Sequence, residues 1–377
     1  MDAGSRHQSQ PTATLHMTKD GKRSSVQTYL ADSVSAKNPD GSKKFPLDIR
    51  TNCLVSKVLF DHRDHGKPKA VGVEFLEGKS LYVADPRFNK DKQGIKKHAY
   101  ASKETVTSGG TFNTPQILKL SGTGPASELK DHSIPVIVDL PGVGANLQDN
   151  YGFGVVNKAA MPFNVFANCT FGAMRPMSKN KENGIYLYGG PLKFSGFFPG
   201  YSRVTEPSAW TWGVLKQHPR NHGSKAGTIT LISDNPRAVP RVRFNPFAEG
   251  AEKDLEAMVE SVEIARKIIM NVAEPTGPFA EQEPGSEVDT TSEVKQFIKN
   301  QVFSHHATST CKIGADDDKM ACLDSEFRVR GVDGLRVVDA SDFPRIPGSF
   351  PVILITMVSE KASDVMLKKY DKSNESF

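Results

Sequence analysis

Thr105-Val106-Thr107-Ser108-Gly109-Gly110-Thr111-Phe112-Asn113-Thr114-Pro115-Gln116-Ile117-Leu118-Lys119-Leu120-Ser121-Gly122-Thr123-Gly124 divides into a short β-rich run, a glycine turn and a helix. The run of Thr105, Val106 and Thr107 suits a strand, and the glycines that follow permit a tight reversal. Thr114 is placed to cap the free N–H groups of a helix opened by Pro115, where a missing donor costs nothing, and Gly122 is placed to end it. Strand, glycine turn and helix are the grammar of a cofactor-binding sheet and predict an α/β fold, α+β overall.

Working outward, Cys53-Leu54-Val55-Ser56-Lys57-Val58-Leu59-Phe60 and Ala70-Val71-Gly72-Val73-Glu74-Phe75 flank a polar turn and predict a hairpin. Ile134-Pro135-Val136-Ile137-Val138-Asp139-Leu140 predicts a further short strand before the turn Pro141-Gly142-Val143-Gly144. From Tyr151 to about Gly250 the chain reads as loop-rich, with aromatic residues scattered among Gly and Pro, and a second domain is placed there. Leu255, Met258, Val259, Val262 and Ile269 share one helical face, and Thr290-Thr291-Ser292-Glu293 is a capping box ahead of another helix. The expected division is residues 20–150 with 303–377 in one domain and 151–302 in a second, built of antiparallel sheet and helices.

The 377 residues carry a net charge of +5 and are 37% hydrophobic, as expected of a globular chain long enough for two domains. The basic residues do not gather on one element: residues 61–69 and 87–97 are polar and turn-rich and read as solvated loops, so no nucleic-acid partner is expected. Cys53, Cys169, Cys311 and Cys322 are widely spaced, form no CxxC pair and are expected to be reduced thiols. No apolar run approaches the roughly 20 residues of a membrane span, and Met1-Asp2-Ala3-Gly4-Ser5-Arg6 lacks the apolar core of a signal peptide. No membrane association is expected, and the compartment is cytoplasmic if this N-terminus is native.

Three segments in order resemble the glucose-methanol-choline (GMC) family of FAD-dependent oxidoreductases. The first is residues 110–124, with Thr123 in place of an aliphatic residue. The second is Pro141-Gly142-Val143-Gly144-Ala145-Asn146-Leu147-Gln148-Asp149, with Asn150 where His is common. The third comprises His306-Ala307-Thr308-Ser309-Thr310-Cys311-Lys312-Ile313-Gly314, Leu335-Arg336-Val337-Val338-Asp339-Ala340-Ser341 and Ser359-Glu360-Lys361-Ala362-Ser363-Asp364. The resemblance implies a Rossmann-like FAD-binding domain and oxidation of a small-molecule alcohol, with oxygen or another electron acceptor reoxidising the flavin. It implies His306 as the catalytic base, since the register through Thr310 and Cys311 selects it over His305. It also implies Val55, Gly110, Asp339, Ala340 and Pro351 as cofactor-binding residues. Read from the residues alone, Val55 is at least as well a strand core position, whereas for Asp339, directly after the run Leu335-Arg336-Val337-Val338, the cofactor role is favoured over that of a turn-capping carboxylate. A zinc site from His305, His306, Cys311 and Cys322 is a weaker alternative, because adjacent residues on a strand point to opposite faces.

Two departures qualify the resemblance. The family's partner for the catalytic His is a second His or an Asn about ten residues before the terminal-helix Glu, and counting back from Glu360 lands on Phe350, which cannot transfer a proton and is assigned to the substrate side. No GxGxxG occurs, and residues 1–30 resemble the segment just downstream of the family's first signature, so the FAD domain is expected to be incomplete. A non-redox cyclase or dehydratase of secondary metabolism on the same scaffold, and a non-catalytic remnant or binding protein, stand as alternatives. Phe163, Phe166, Trp210 and Trp212 are candidates either for an apolar pocket or for ordinary core.

Overall fold

The computed structural model describes residues 18–20, 22–62, 66–163, 172–174, 184–219, 225–248, 252–348 and 350–371. Met1 to Arg6, Cys169 and Phe166 lie outside them. Helix α1 (Val26–Ser35) buries none of its side chains. The expected hairpin forms from β1 (Cys53–Asp61) and β2 (Lys69–Glu77), antiparallel, with register shifts between Val55 and Lys57 and between Leu59 and Phe60. A third strand, β3 (Ile95–Tyr100), pairs with β2 at the end of a stretch expected to be a loop. Its run Lys96, Lys97, His98 gives the sheet a charged edge, which discourages pairing with other chains.

Strand β4 (Thr105–Thr107) leads into α2 (Gly110–Leu120), which starts at Gly110 rather than at Pro115 and so carries Pro115 in its interior. Thr114 is therefore not the N-cap. Its hydroxyl accepts from Gly109 N–H at 2.9 Å and donates to Asp339 at 2.6 Å, so the helix start is stabilised from a distant part of the chain. An interior proline leaves the carbonyl four residues back without its helical donor. That carbonyl belongs to Thr111, and the Thr310 hydroxyl donates to it at 2.6 Å. Gly122 does end the helix, at φ +82°. Beyond it, β5 (Thr123–Gly124) pairs in parallel with β6 (Val138–Asp139) across the short helix α3 (Ala126–Asp131). The strand expected over residues 134–140 is thus reduced to two residues.

The stretch read as loop-rich, within a region expected to hold antiparallel sheet and helices, builds the largest sheet among the described residues. Strands β7 (Tyr151–Lys158), β8 (Gly172–Met174), β9 (Ile185–Gly190) and β10 (Ala209–Lys216) pair antiparallel, with β10 between β7 and β9. A separate ribbon joins β11 (Thr228–Thr230) to β12 (Arg241–Arg243). Helix α4 (Glu252–Met270) then crosses the sheet, β13 (Ala280–Glu283) adds to β7, α5 (Thr291–Gln301) starts at the expected capping box, and β14 (Phe303–Ser304) pairs with β7. Val155, Ile185, Leu187 and Val214 pack against Leu255, Met258, Val259, Val262 and Ile298, forming the main core. Trp212 belongs to this core, Trp210 packs against it, and Phe163 packs in turn on Trp210 and Phe279. Because side chains alternate along a strand, Ile185 and Leu187 face the helices while Tyr186 and Tyr188 emerge on the opposite face.

A second core gathers Leu118, Val143, Cys311, Cys322, Leu323, Leu335 and Val337. Strand β15 (Leu335–Val337) pairs in parallel with β4 and delivers the chain to Asp339, and the terminal helix α6 (Val352–Asp371) follows. Parallel pairing among the described residues is confined to β4–β15 and β5–β6 among the named strands. A Cβ added at Gly122 would lie 2.4 Å from the Pro135 carbonyl oxygen, so Gly122→Ala combines left-handed strain with a clash. Urea unfolding should show a loss of about 2 kcal/mol or more, and an unchanged midpoint would contradict this placement.

Candidate active site

Residues 308–313 form a buried thread held on both sides. On one side Thr308 and Gln148 exchange backbone hydrogen bonds, and Gly144 N–H donates to the Thr310 carbonyl at 2.8 Å. On the other, Ser309, Cys311 and Ile313 N–H groups donate in turn to the carbonyls of Ala340, Ser341 and Asp342. The N-terminus of α2 is fastened to the same thread, with Thr111 Oγ1 donating to the Ala307 carbonyl at 2.7 Å. The three regions singled out in the sequence therefore meet, and His306 lies at the mouth of the thread, just past β14.

Both histidine backbone N–H groups donate to Asp149 Oδ1, His306 at 2.6 Å and His305 at 3.2 Å. The chain here has left the strand, so the two rings lie side by side, 4.3 Å between centroids, rather than on opposite faces. Among the described residues no group of three or more His, Cys, Asp or Glu is arranged to hold a metal ion, and Cys311 and Cys322 are free thiols inside the second core. Phe350 packs edge-on against His306 at 4.8 Å and also against Tyr186, Tyr188 and His305. The position reached by counting back from Glu360 thus does face the histidine, with a ring where a proton-transferring group was expected. Tyr188 OH lies 3.4 Å from His305 Nδ1. Phe197 and Phe303 complete an aromatic wall around His305.

Asp339 is buried and already engaged. Its Oδ2 accepts from Gly110 N–H at 3.0 Å and from Thr114, and its Oδ1 accepts from Ser341 N–H at 2.7 Å. It caps a turn and the α2 start together, and Oδ1 retains acceptor capacity for one further hydroxyl. Ala340 is half-buried beside it. Gly110 has φ +80°, and nothing lies within 4 Å of where its Cβ would be, so its backbone borders open space at a helix N-terminus. This open glycine, the helix N–H groups and the spare acceptor of Asp339 fit part of a dinucleotide such as FAD. Val55 lies elsewhere, half-buried on β1, where it lines a 240 Å³ cavity with Leu54, Tyr82, Asn113, Gln116 and Ile117. Pro351 is buried at the start of α6, its carbonyl accepting from Ile355 N–H.

Burial pushes the His305 imidazole down to about 4, and burial together with the neighbouring His305 pushes His306 to about 3. His306 Nδ1 is buried with no hydrogen-bond partner among the described residues. Burial raises Asp149 to about 6, against the opposing effect of the Ser304 hydroxyl and the backbone N–H groups it accepts. Burial and the charge of Asp339 raise Asp342 to about 8.

Sequence reasoning missed Asp149, Tyr186, Tyr188 and the aromatic wall. Asp149 stood inside a quoted motif without a role, and only the fold shows which backbone it reaches. Asn146, Gln148 and Asn150 form an alternating row facing residues 344–347: Asn146 Nδ2 donates to the Pro344 carbonyl, Gln148 Oε1 accepts from Ile346 N–H, and Asn150 Nδ2 donates to the Pro347 carbonyl. Asn150, in place of a common His, thereby steadies the loop that carries Phe350.

Comparison with known proteins accords with this arrangement. Residues 2–151 match the N-terminal model and residues 223–359 the C-terminal model of GMC oxidoreductase, so the chain belongs to the GMC oxidoreductase family. It is 33% identical over 335 residues to an oxygen-dependent choline dehydrogenase of Brucella anthropi, covering 83% of this chain and 57% of that protein. It is 31% identical over 381 residues to the mitochondrial choline dehydrogenase of Homo sapiens, covering 94% and 57%. A formate oxidase of Aspergillus oryzae superposes with a TM-score of 0.69 at 20% identity, over 85% of this chain and 60% of that one, which shows the shared fold. The chain thus spans about three fifths of the length of the curated relatives it matches.

The depressed histidines set a sign for pH dependence. Their contribution to stability is complete above about 6.5 and is lost as pH falls towards 4. The raised carboxyl of Asp149 acts oppositely, its contribution being lost as pH rises from 3.8 towards about 6. In an NMR titration both imidazoles should remain neutral down to about pH 5; a midpoint near the ordinary histidine value would contradict their burial.

Proposed function

We propose that the protein oxidises a small-molecule alcohol, with FAD as cofactor, His306 as the base and oxygen or another acceptor taking the electrons onward. The observation that carries this reading is His306 itself: a neutral imidazole with a buried nitrogen lacking a partner, on a segment stapled to the α2 N-terminus and to residues 339–342. FAD, when bound, supplies the acceptor for the hydride that leaves the carbinol carbon. Asp339, Ala340 and the open backbone at Gly110 would hold the cofactor, with Val55 and Pro351 as further contacts. Residues 20–150 and 303–377 are assigned to the cofactor side, and 151–302 to the substrate side.

The chain's own chemistry follows from burial. An imidazole held to a value of about 3 is uncharged throughout the neutral range and free to accept the hydroxyl proton. Its weak basicity makes it accept that proton only as the hydroxyl becomes strongly acidic, late in the loss of hydride. Phe350 and Tyr188 pack against the histidine pair, and Phe350, itself exposed, provides an apolar face for the carbon skeleton of the substrate. Nothing in Phe350 can share the proton, which leaves the base role to His306 alone.

His306→Ala in the flavin-loaded enzyme should reduce turnover by about 10²-fold or more, the usual effect of removing a general base, while His305→Ala costs much less. Steady-state assays over a panel of alcohols check this, and turnover of His306→Ala within severalfold of wild type would remove the histidine from the role.

A further inference from the structure

We propose that Asp149 is the positioning residue for His306, fixing it by accepting the two consecutive backbone N–H groups of His305 and His306 on one carboxylate oxygen. This rests on His306 being the base. Successive N–H groups of an extended chain point in opposite directions, so their convergence on one atom requires the backbone to curl at this point. Here they converge at 3.2 and 2.6 Å, and the curl explains why the two rings lie side by side, centroids 4.3 Å apart and tilted by 46°, instead of diverging. Asp149 has no solvent exposure, and its Oδ2 has no hydrogen-bond partner among the described residues. A buried carboxylate half satisfied in this way is costly, and the geometry it imposes is what the structure gains from it. The titratable groups near it are His305 and His306 beyond β14, Tyr188 across from His305, and, past Asn150 and Pro347, His218 against Gly348.

When residues 305–306 open locally with Asp149 still buried, the ionised carboxylate holds the two N–H groups more strongly than the neutral acid does, so for this opening, unlike global unfolding, the clamp loosens as pH falls through about 6. Hydrogen exchange of residues 303–308, measured by mass spectrometry and corrected for the intrinsic pH dependence, tests this on the wild-type chain and Asp149→Asn. Wild-type protection should fall as pH drops through about 6. Asp149→Asn should exchange roughly 10-fold faster near neutral pH, the loss expected when a charge-assisted bond becomes a neutral one, with no pH step. In the flavin-loaded enzyme kcat should show the same low-pH limb, absent in Asp149→Asn, with KM little changed. Ser304→Ala, which removes a hydroxyl that lowers the Asp149 value, should move the limb upward and serves if Asp149→Asn does not fold.

Wild-type-like exchange in Asp149→Asn, or persistence of the limb there, overturns the clamp; so does an unmoved limb in Ser304→Ala. The two ideas fail separately. An active His306→Ala alongside weakened protection in Asp149→Asn removes the base assignment alone, whereas an inactive His306→Ala with unchanged protection removes only the clamp.

Discussion

The site depends on one buried thread, residues 308–313, whose backbone hydrogen bonds run alternately to residues 144–148 and to residues 340–342. Each of those partners belongs to a different part of the chain, and the thread joins them beside the histidines. Thr308, Ser309 and Thr310 are fully buried, so every polar group they carry must be matched internally. Ser309 takes φ +76°, an unusual conformation for a non-glycine residue, held by its N–H to Ala340 and its carbonyl to Asn146. Such strain persists where surrounding bonds over-determine it, as these do.

From this thread the other features follow. Thr310 completes the hydrogen bonding that Pro115 leaves open in α2, and Thr111 returns a bond to Ala307, so the helix N-terminus and the histidine segment are set by the same residues. Asp339 joins in through Thr114 and Gly110. The helix end that borders open space at Gly110, the strand end at Asp339 and the base candidate His306 are therefore registered to one another by hydrogen bonds rather than by loop flexibility. Opposite them, the large antiparallel sheet turns one face to α4 and α5 and the other, through Tyr186 and Tyr188, towards the histidines. One sheet thus serves as core and as the aromatic wall beside the histidines.

Elements governed by local chemistry were legible in the sequence. The β1–β2 hairpin, the apolar face of α4, the capping box at Thr290 and the glycine stop at Gly122 all follow from residues within a few positions of one another. Features set by distant partners were not. The early start of α2 is held by Asp339, more than two hundred positions away in sequence. Strands β7 to β10 mix glycine with aromatic residues and lack clean alternation because β7 and β10 are buried on both faces. The orientation of the histidine pair depends on Asp149, whose reach no local pattern reveals. Resemblance to the family supplied His306 and Asp339, but the aromatic environment of Phe350 required the structure.

The central claim, that residues 110, 306 and 339–340 surround one dinucleotide, is tested most directly by the visible absorption of the protein purified with excess FAD, compared with its Gly110→Asn variant. Asparagine tolerates the left-handed backbone at this position and would extend into the open space beside the α2 N-terminus. The account predicts flavin bands that co-purify with the wild-type protein and are largely lost in the variant, with circular dichroism unchanged. A folded wild-type protein without flavin, or a Gly110→Asn variant as yellow as the wild type, would contradict it.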